Sequence, residues 1–253
     1  MKILVTGANG QLGYDVCRRL ATLGYAPGRD YCGIDIADLD ITDERAVHGY
    51  VQAYRPDAVI HCAAYTAVDR AESERDACMR VNAYGTKYLA EAAAEIGARF
   101  LYISTDYVFD GDKNGAYFPE DRVCPVSVYG ESKELGEQFV RAATARHFIV
   151  RISWVFGVHG NNFVKTMLRL AETRDTLNVV CDQVGSPTYT ADLAVLLCNM
   201  IGTEEYGTYH ATNADICSWY EFACEIFRQA GKNVKVVPVT TQEYLRMVPQ
   251  QAR

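Results

Sequence analysis

The chain has 253 residues, of which 49% are hydrophobic and 23% charged, and its net charge is −7. That is long enough to bury a full core, and it excludes a disordered, collagen-like or coiled-coil chain. An acidic chain with no basic block also excludes a wide nucleic-acid interface. The nine cysteines are an odd number and form no C-x-x-C pair. They read as reduced thiols of a cytoplasmic protein. Met1-Lys2 runs at once into Ile3-Leu4-Val5, which is too short for a secretory leader. The apolar stretch Leu193–Ile201 is about half of what spans a bilayer, so no membrane partner is expected.

Strand and helix patterns alternate. Lys2–Val5 reads as a buried strand, followed by Leu12, Val16, Leu20 and Leu23 at helical spacing. Tyr31–Ile36 is a second strand. Ala46, Val47, Tyr50, Val51 and Tyr54 mark a second helix, closed by Pro56. Ala58–Ala63 is a strand, and one long helix is expected from Glu74 to Ile96. Strand Phe100–Ile103, helix Glu131–Ala145 and strand Phe148–Val155 follow. The last third alternates as well. It holds helix Asn162–Glu172, strand Leu177–Cys181, helix Ala191–Ile201 behind Thr190 as N-cap, and a Ser218–Glu221 capping box. Repeated βαβ units predict an α/β fold, a doubly wound parallel Rossmann sheet with a smaller C-terminal substrate-binding lobe. The expected division is 1–154 plus 177–207 for the sheet domain, and 155–176 plus 208–253 for the lobe.

Thr6–Gly13 lies between the first strand and the first helix. Gly7, Gly10 and Gly13 permit a tight turn and close approach of backbone N–H groups to a pyrophosphate at the helix N-terminus. Asp35 follows about 20 residues later at the end of the second strand, where a carboxylate accepts from ribose hydroxyls. This carboxylate favours NADH over NADPH, although Arg18, Arg19 and Arg29 can offset it. Asp40 and Ile41 are candidates for holding adenine; a solvated acidic loop is the alternative for Asp40.

Tyr129-Gly130-Glu131-Ser132-Lys133 is the one Y-x-x-x-K in the chain. An i, i+4 pair shares a helix face. A lysine ammonium beside a phenol is expected to lower the phenol pKa and so make Tyr129 a usable proton donor. Ser104 and Thr105 end the preceding strand at the carboxyl edge, where open α/β sheets bind ligands. There the Thr105 hydroxyl can hold a carbonyl oxygen beside Tyr129.

Together these residues resemble the extended short-chain dehydrogenase/reductase superfamily, and within it the dTDP-4-dehydrorhamnose reductase family. The selective segments are Cys62–Asp69, Ser104–Gly111 (STDYVFDG), Arg151–Gly157, Gly160–Phe163 (GNNF) and Asp182–Thr188 (DQVGSPT). The resemblance implies NADH or NADPH as cofactor and dTDP-4-dehydro-L-rhamnose as the nucleotide-sugar partner. Thr105, Tyr129 and Lys133 would be the catalytic trio. Gly7, Asn9, Gly10, Gln11, Leu12, Ala63, Ala64, Tyr65 and Ser104 would join Asp35, Asp40, Ile41, Tyr129 and Lys133 around the cofactor. Val68, Tyr107 and Trp154 would line the sugar pocket with Thr105 and Tyr129, and Trp154 would pack flat against the apolar face of the sugar. Asp69 reads as a cap for the following helix, with a substrate contact as the alternative.

Family chains continue with an R-P-x-N-S-x-L segment that would begin at Arg253. Some relatives bridge a dimer with magnesium through acidic residues. Asp15 stands at such a position, which leaves Mg2+ undecided and a homodimer as an expectation. Two other readings share the scaffold: a regulatory subunit of the methionine adenosyltransferase type, and a nucleotide-sugar epimerase or dehydratase. Ser153-Trp154 and GNNF favour the reductase over the first. The lack of a glutamate after Asp106 disfavours a dehydratase.

Overall fold

A computed structural model describes residues 1–247. Arg253, where the family's closing motif would start, lies outside them. The chain begins with β1 (Ile3–Thr6), α1 (Gln11–Thr22), β2 (Tyr31–Ile34), α2 (Glu44–Tyr54) and β3 (Ala58–His61). Next come α3 (Val68–Ala71), α4 (Arg75–Met79), a π-helical segment (Arg80–Gly85) and α5 (Thr86–Glu95). Then follow β4 (Arg99–Thr105), a 3-10 turn (Asp106–Val108), α6 (Val128–Ala143), β5 (His147–Ile152) and β6 (Val155–Phe156). The remainder is α7 (Phe163–Leu170), β7 (Thr176–Val180), β8 (Val184–Gly185), β9 (Thr188–Tyr189) and α8 (Thr190–Met200), then β10 (Gly207–His210), β11 (Cys217–Ser218), α9 (Trp219–Ala230), β12 (Lys235–Val239) and α10 (Thr241–Met247).

The first unit comprises Met1–Ile152 and Thr190–Ala211. Its sheet has six parallel strands in the order β10-β5-β4-β3-β1-β2. After β2 the chain crosses to the other side of β1. The switch point of this doubly wound sheet is therefore at the carboxyl ends of β1 and β3, where such folds bind ligands. Apolar side chains of α2 and α5 (Val47, Val51, Leu89, Ala92, Ala93) pack on Leu4, Val59, Phe100, Tyr102 and Ile149. Each large side chain buried this way contributes roughly 1.5–3 kcal/mol. Helices α1 and α8 pack against each other.

The expected helix over 74–96 is broken in its middle by the π segment. A Cβ at Gly85, the last residue of that segment, would lie 2.9 Å from Ile41 Cγ1, so the helix passes closely by the loop after β2. The single strand expected over 148–155 is also two. It stops at Ile152, because Trp154 adopts φ 47°, a conformation no strand tolerates. Thr190 is the first residue of α8, and its hydroxyl donates to the buried Asp15 carboxylate at 2.5 Å.

The second unit holds Ser153–Tyr189 and the chain from Thr212 onward. Here β7 pairs in parallel with β12, from Thr176↔Lys235 to Val239↔Val180. Residues 177–189, expected with the large sheet, therefore fold with the smaller unit. Residues 208–211, expected in the lobe, finish the large sheet through β10 and its extension. Helices α7 and α9 cover the β7–β12 pair through Met167, Leu177, Val179, Ile226 and Phe227.

Candidate active site

The glycine loop joins β1 to α1. Gly7 has φ 68°, and a Cβ there would meet the Ala63 backbone at 2.7 Å. A Cβ at Gly13 would fall 2.1 Å from the Gly7 carbonyl. The loop is thus folded as tightly as glycine allows, and Leu12 is buried beneath it. Gly10 caps α1 without a side-chain bond, and the first turn has no acidic residue. An N-terminus of that kind suits an anion. Asp35 accepts from the N–H of Asn9 at 3.0 Å and of Ile36 at 2.8 Å, which joins the end of β2 to the loop.

The adenine-side pair behaves differently. Asp40 accepts from the N–H and hydroxyl of Thr42, and these bonds hold its carboxyl below the usual carboxylate range. Ile41 is a core residue, 8% exposed. Ala63 leads the loop after β3, its N–H on the Thr6 hydroxyl at 3.3 Å, and Ala64 follows half-buried. Tyr65 is clamped by Asn82 of the π segment. The Asn82 side-chain oxygen takes the Tyr65 N–H at 2.7 Å, and its amide donates to the Tyr65 carbonyl at 3.1 Å and to Ser132 Oγ at 2.9 Å. Asn82 thus ties the loop after β3 to the helix carrying Tyr129 and Lys133.

Ser127 caps α6 by accepting from the Gly130 N–H, so Tyr129 sits in its first turn and Lys133 one turn on. Thr105 donates to the Asp106 carboxylate at 2.9 Å and accepts from the Tyr107 N–H at 3.2 Å. The Tyr129 pKa is raised, not lowered: burial and the Asp106 carboxylate push it up, and a hydrogen bond with Thr105 works the other way. The expected depression by Lys133 fails for a physical reason. Burial brings the Lys133 ammonium itself down to about 7, against the pull of Glu137. The ammonium lies 4.2 Å from the centre of the Tyr102 ring. Asp106 is pushed up to about 6, chiefly by burial.

Several partners escape a pattern reading. Glu137 is fully buried beneath the corner. It accepts from Ser104 Oγ at 2.6 Å, from Arg151 through two bonds of 2.8 Å, and from Arg141 at 2.7 Å. Burial tends to raise its pKa, and the Arg151 bonds and charge overcome that and leave it lowered. The i, i+4 spacing from Lys133 to Glu137 was the available signal, but it looks like a solvent-facing pair. Tyr107 is 43% exposed, its ring edge-on to Tyr129 at 5.5 Å. Val68 opens α3, half-buried. Asp69 is not the cap, which is Ala67; it lies in the first turn, with its charge acting on Tyr107.

Asp15, the magnesium candidate, is 6% exposed and bonded to Thr190.

Trp154 stands in the second unit. Its ring stacks on Trp219 at 3.5 Å and 9°. A positive φ costs a bulky residue roughly 1–3 kcal/mol, and the surroundings must hold it there. A Cβ on Gly185 would sit 2.6 Å from Trp154 Cε2, 2.8 Å from Nε1 and 2.9 Å from Cζ2. These distances put Gly185 over the ring, on the face opposite Trp219. The flat packing against a sugar, expected from the sequence, therefore has both ring faces already covered.

The chain matches the RmlD substrate binding domain family over residues 1–253. It is 47% identical to the Clostridium acetobutylicum dTDP-4-dehydrorhamnose reductase of known structure, with a TM-score of 0.93 over 100% of this chain and 87% of that one. The chain belongs to the dTDP-4-dehydrorhamnose reductase family. Membership makes it an NAD(P)H-dependent oxidoreductase. The Bacillus anthracis family member, solved in complex with NADP, is 48% identical with a TM-score of 0.92 over 96% of this chain and 86% of that one. The spore coat polysaccharide biosynthesis protein SpsK of Bacillus subtilis is 44% identical over 99% of this chain and 87% of its own length. Among the described residues no helix is long and apolar enough to cross a membrane.

Proposed function

We propose that this chain reduces the C4 ketone of dTDP-4-dehydro-L-rhamnose to dTDP-L-rhamnose, with NADH or NADPH as reductant. The observation that carries the reading is the Thr105–Tyr129 pair at the carboxyl end of β4, one helical turn from the buried Lys133. The glycine loop supports the cofactor: it is a cradle that any Cβ would fill, at a helix N-terminus without an acidic side chain. Gly7, Asn9, Gly10, Gln11 and Leu12 would hold the pyrophosphate, Asp35 the adenosine ribose, Ala63, Ala64 and Tyr65 the nicotinamide side.

When bound, the reduced nicotinamide supplies hydride to C4. The residues handle the oxygen. Thr105 turns its hydroxyl proton from Asp106 to the ketone oxygen and keeps that oxygen against Tyr129. A raised pKa keeps the Tyr129 proton on the phenol at neutral pH, ready for the far more basic alkoxide that forms at C4. Lys133, brought near neutrality by burial, binds the nicotinamide ribose and returns a proton towards Tyr129. Ser104 and Glu137 fix the strand end beside it. The resemblance assigns Val68, Tyr107 and Trp154 to the sugar side. The reading includes the cytoplasmic location and the homodimer expected from the sequence, the latter open to sedimentation velocity.

A coupled assay tests the proposal. Freshly made dTDP-4-dehydro-L-rhamnose is mixed with the protein and NADH or NADPH, and nicotinamide absorbance is followed. Turnover that collapses in Tyr129→Phe is the expected result. No turnover with either cofactor overturns it and moves the weight to a regulatory, non-catalytic role.

A further inference from the structure

Of two segments that mark the family, Arg151–Gly157 and DQVGSPT, only Arg151 enters the proton-handling corner above, through Glu137. The structure shows what they do for each other. Ser153 Oγ donates to the Ser186 carbonyl at 2.7 Å, and the Thr188 N–H donates to the Trp154 carbonyl at 3.2 Å. These bonds pin the chain on both sides of Trp154 while its φ stays at 47°. Trp219 covers one face of the indole at 3.5 Å. Gly185 covers the other so closely that a Cβ would stand 2.6 Å from Cε2. Trp219 is itself backed by Phe163, ring centres 4.6 Å apart, and is set at the head of α9 by the Ser218–Glu221 capping box. The indole is thus clamped face to face, and what stays half-exposed is its rim.

We propose that Trp219 and Gly185 are positioning residues for Trp154, and that the clamp makes the indole rim a rigid wall against the sugar in place of a stacking platform. The inference rests on the reading that Trp154 lines the sugar pocket. A fixed wall discriminates by shape: it adds to ground-state and transition-state binding alike, and so acts on KM rather than on kcat.

The experiment compares Trp219→Leu, Gly185→Ala and Trp154→Leu in the full chain, with steady-state kinetics and circular dichroism. Both clamp variants are expected to raise KM for the nucleotide-sugar about tenfold, with kcat and the KM for NAD(P)H within about twofold. The exciton couplet of the paired indoles is expected to vanish in Trp219→Leu and to change in Gly185→Ala. The two variants reach the indole from opposite faces, so one soluble variant is enough. A Trp219→Leu protein that loses the couplet yet keeps its KM overturns the inference. So does one that binds sugar more tightly, since a freed face would then be the better platform. Trp154→Leu separates the two layers. If it leaves KM unchanged, the pocket reading has failed, and the inference with it. If it raises KM while both clamp variants do not, only the clamp is wrong.

Discussion

In the first unit the Tyr129–Lys133 corner is held by charge. A buried lysine sits one turn from a buried glutamate, and that glutamate is saturated by two arginines and a serine. In the second unit Trp154 is held by shape, between a parallel indole and a glycine with no room for a side chain. A site that must move protons needs groups whose pKa values respond to their surroundings. That means buried charges, and buried charges need partners. A site that only has to present an outline can be built from apolar rings. The two corners should therefore fail differently: the first through pH and kcat, the second through KM.

The largest effect expected is at Tyr129. Tyr129→Phe removes the proton donor and should lower kcat by about 10³-fold with little change in cofactor binding. A variant with near-normal kcat would end the claim that the first corner moves protons. Next is Arg151→Leu. It leaves Glu137 buried with Arg141 as its remaining arginine, and should cost about 3–5 kcal/mol in urea unfolding. A loss under about 1 kcal/mol would mean the charges of this corner are not what holds it.

Asp106 sharpens the comparison through pH. Its folded pKa is raised, chiefly by burial, from 3.8 to about 6. The stability it contributes is therefore full below about pH 4 and is lost as pH rises through 6. Asp106→Asn removes that loss. At pH 8 it should stabilise the protein by up to about 2–3 kcal/mol, and at pH 4 by almost nothing. Thermal melts at both values decide it, and an equal shift at both would sink the argument. The smallest effect is at Asp35. Asp35→Asn should move the NADPH/NADH ratio of kcat/KM by about tenfold towards NADPH, measured side by side.

The alternating sheet was readable because its signals are local: short β-rich runs, apolar residues every three or four positions, glycines at the turns. The glycine loop and the Tyr129–Lys133 spacing are local as well. What escaped depends on distant pairing. Nothing in Leu177–Cys181 says that its partner is Lys235–Val239, so the boundary between the units was drawn too late in one place and too early in another. Glu137, Arg151 and Asn82 look like ordinary polar positions until the fold buries them around one another. The raised pKa of Tyr129 is not legible either, because spacing reveals a neighbouring lysine but not how far both groups are desolvated.

The π segment at Arg80–Gly85 carries one more consequence. A five-residue step in the hydrogen-bond ladder delays the helix by about 100° of rotation relative to an uninterrupted α-helix. The apolar stripe of α5 is therefore out of phase with that of α4. Running the ordinary ladder straight through the segment with no residue removed would turn Leu89, Ala92 and Ala93 away from the sheet while Arg75–Met79 stayed in place, and deleting one residue there, such as Ala83, would cancel that turn. The extra residue works as a phase shifter: one helical run faces two different neighbours, with Asn82 at the point of rotation.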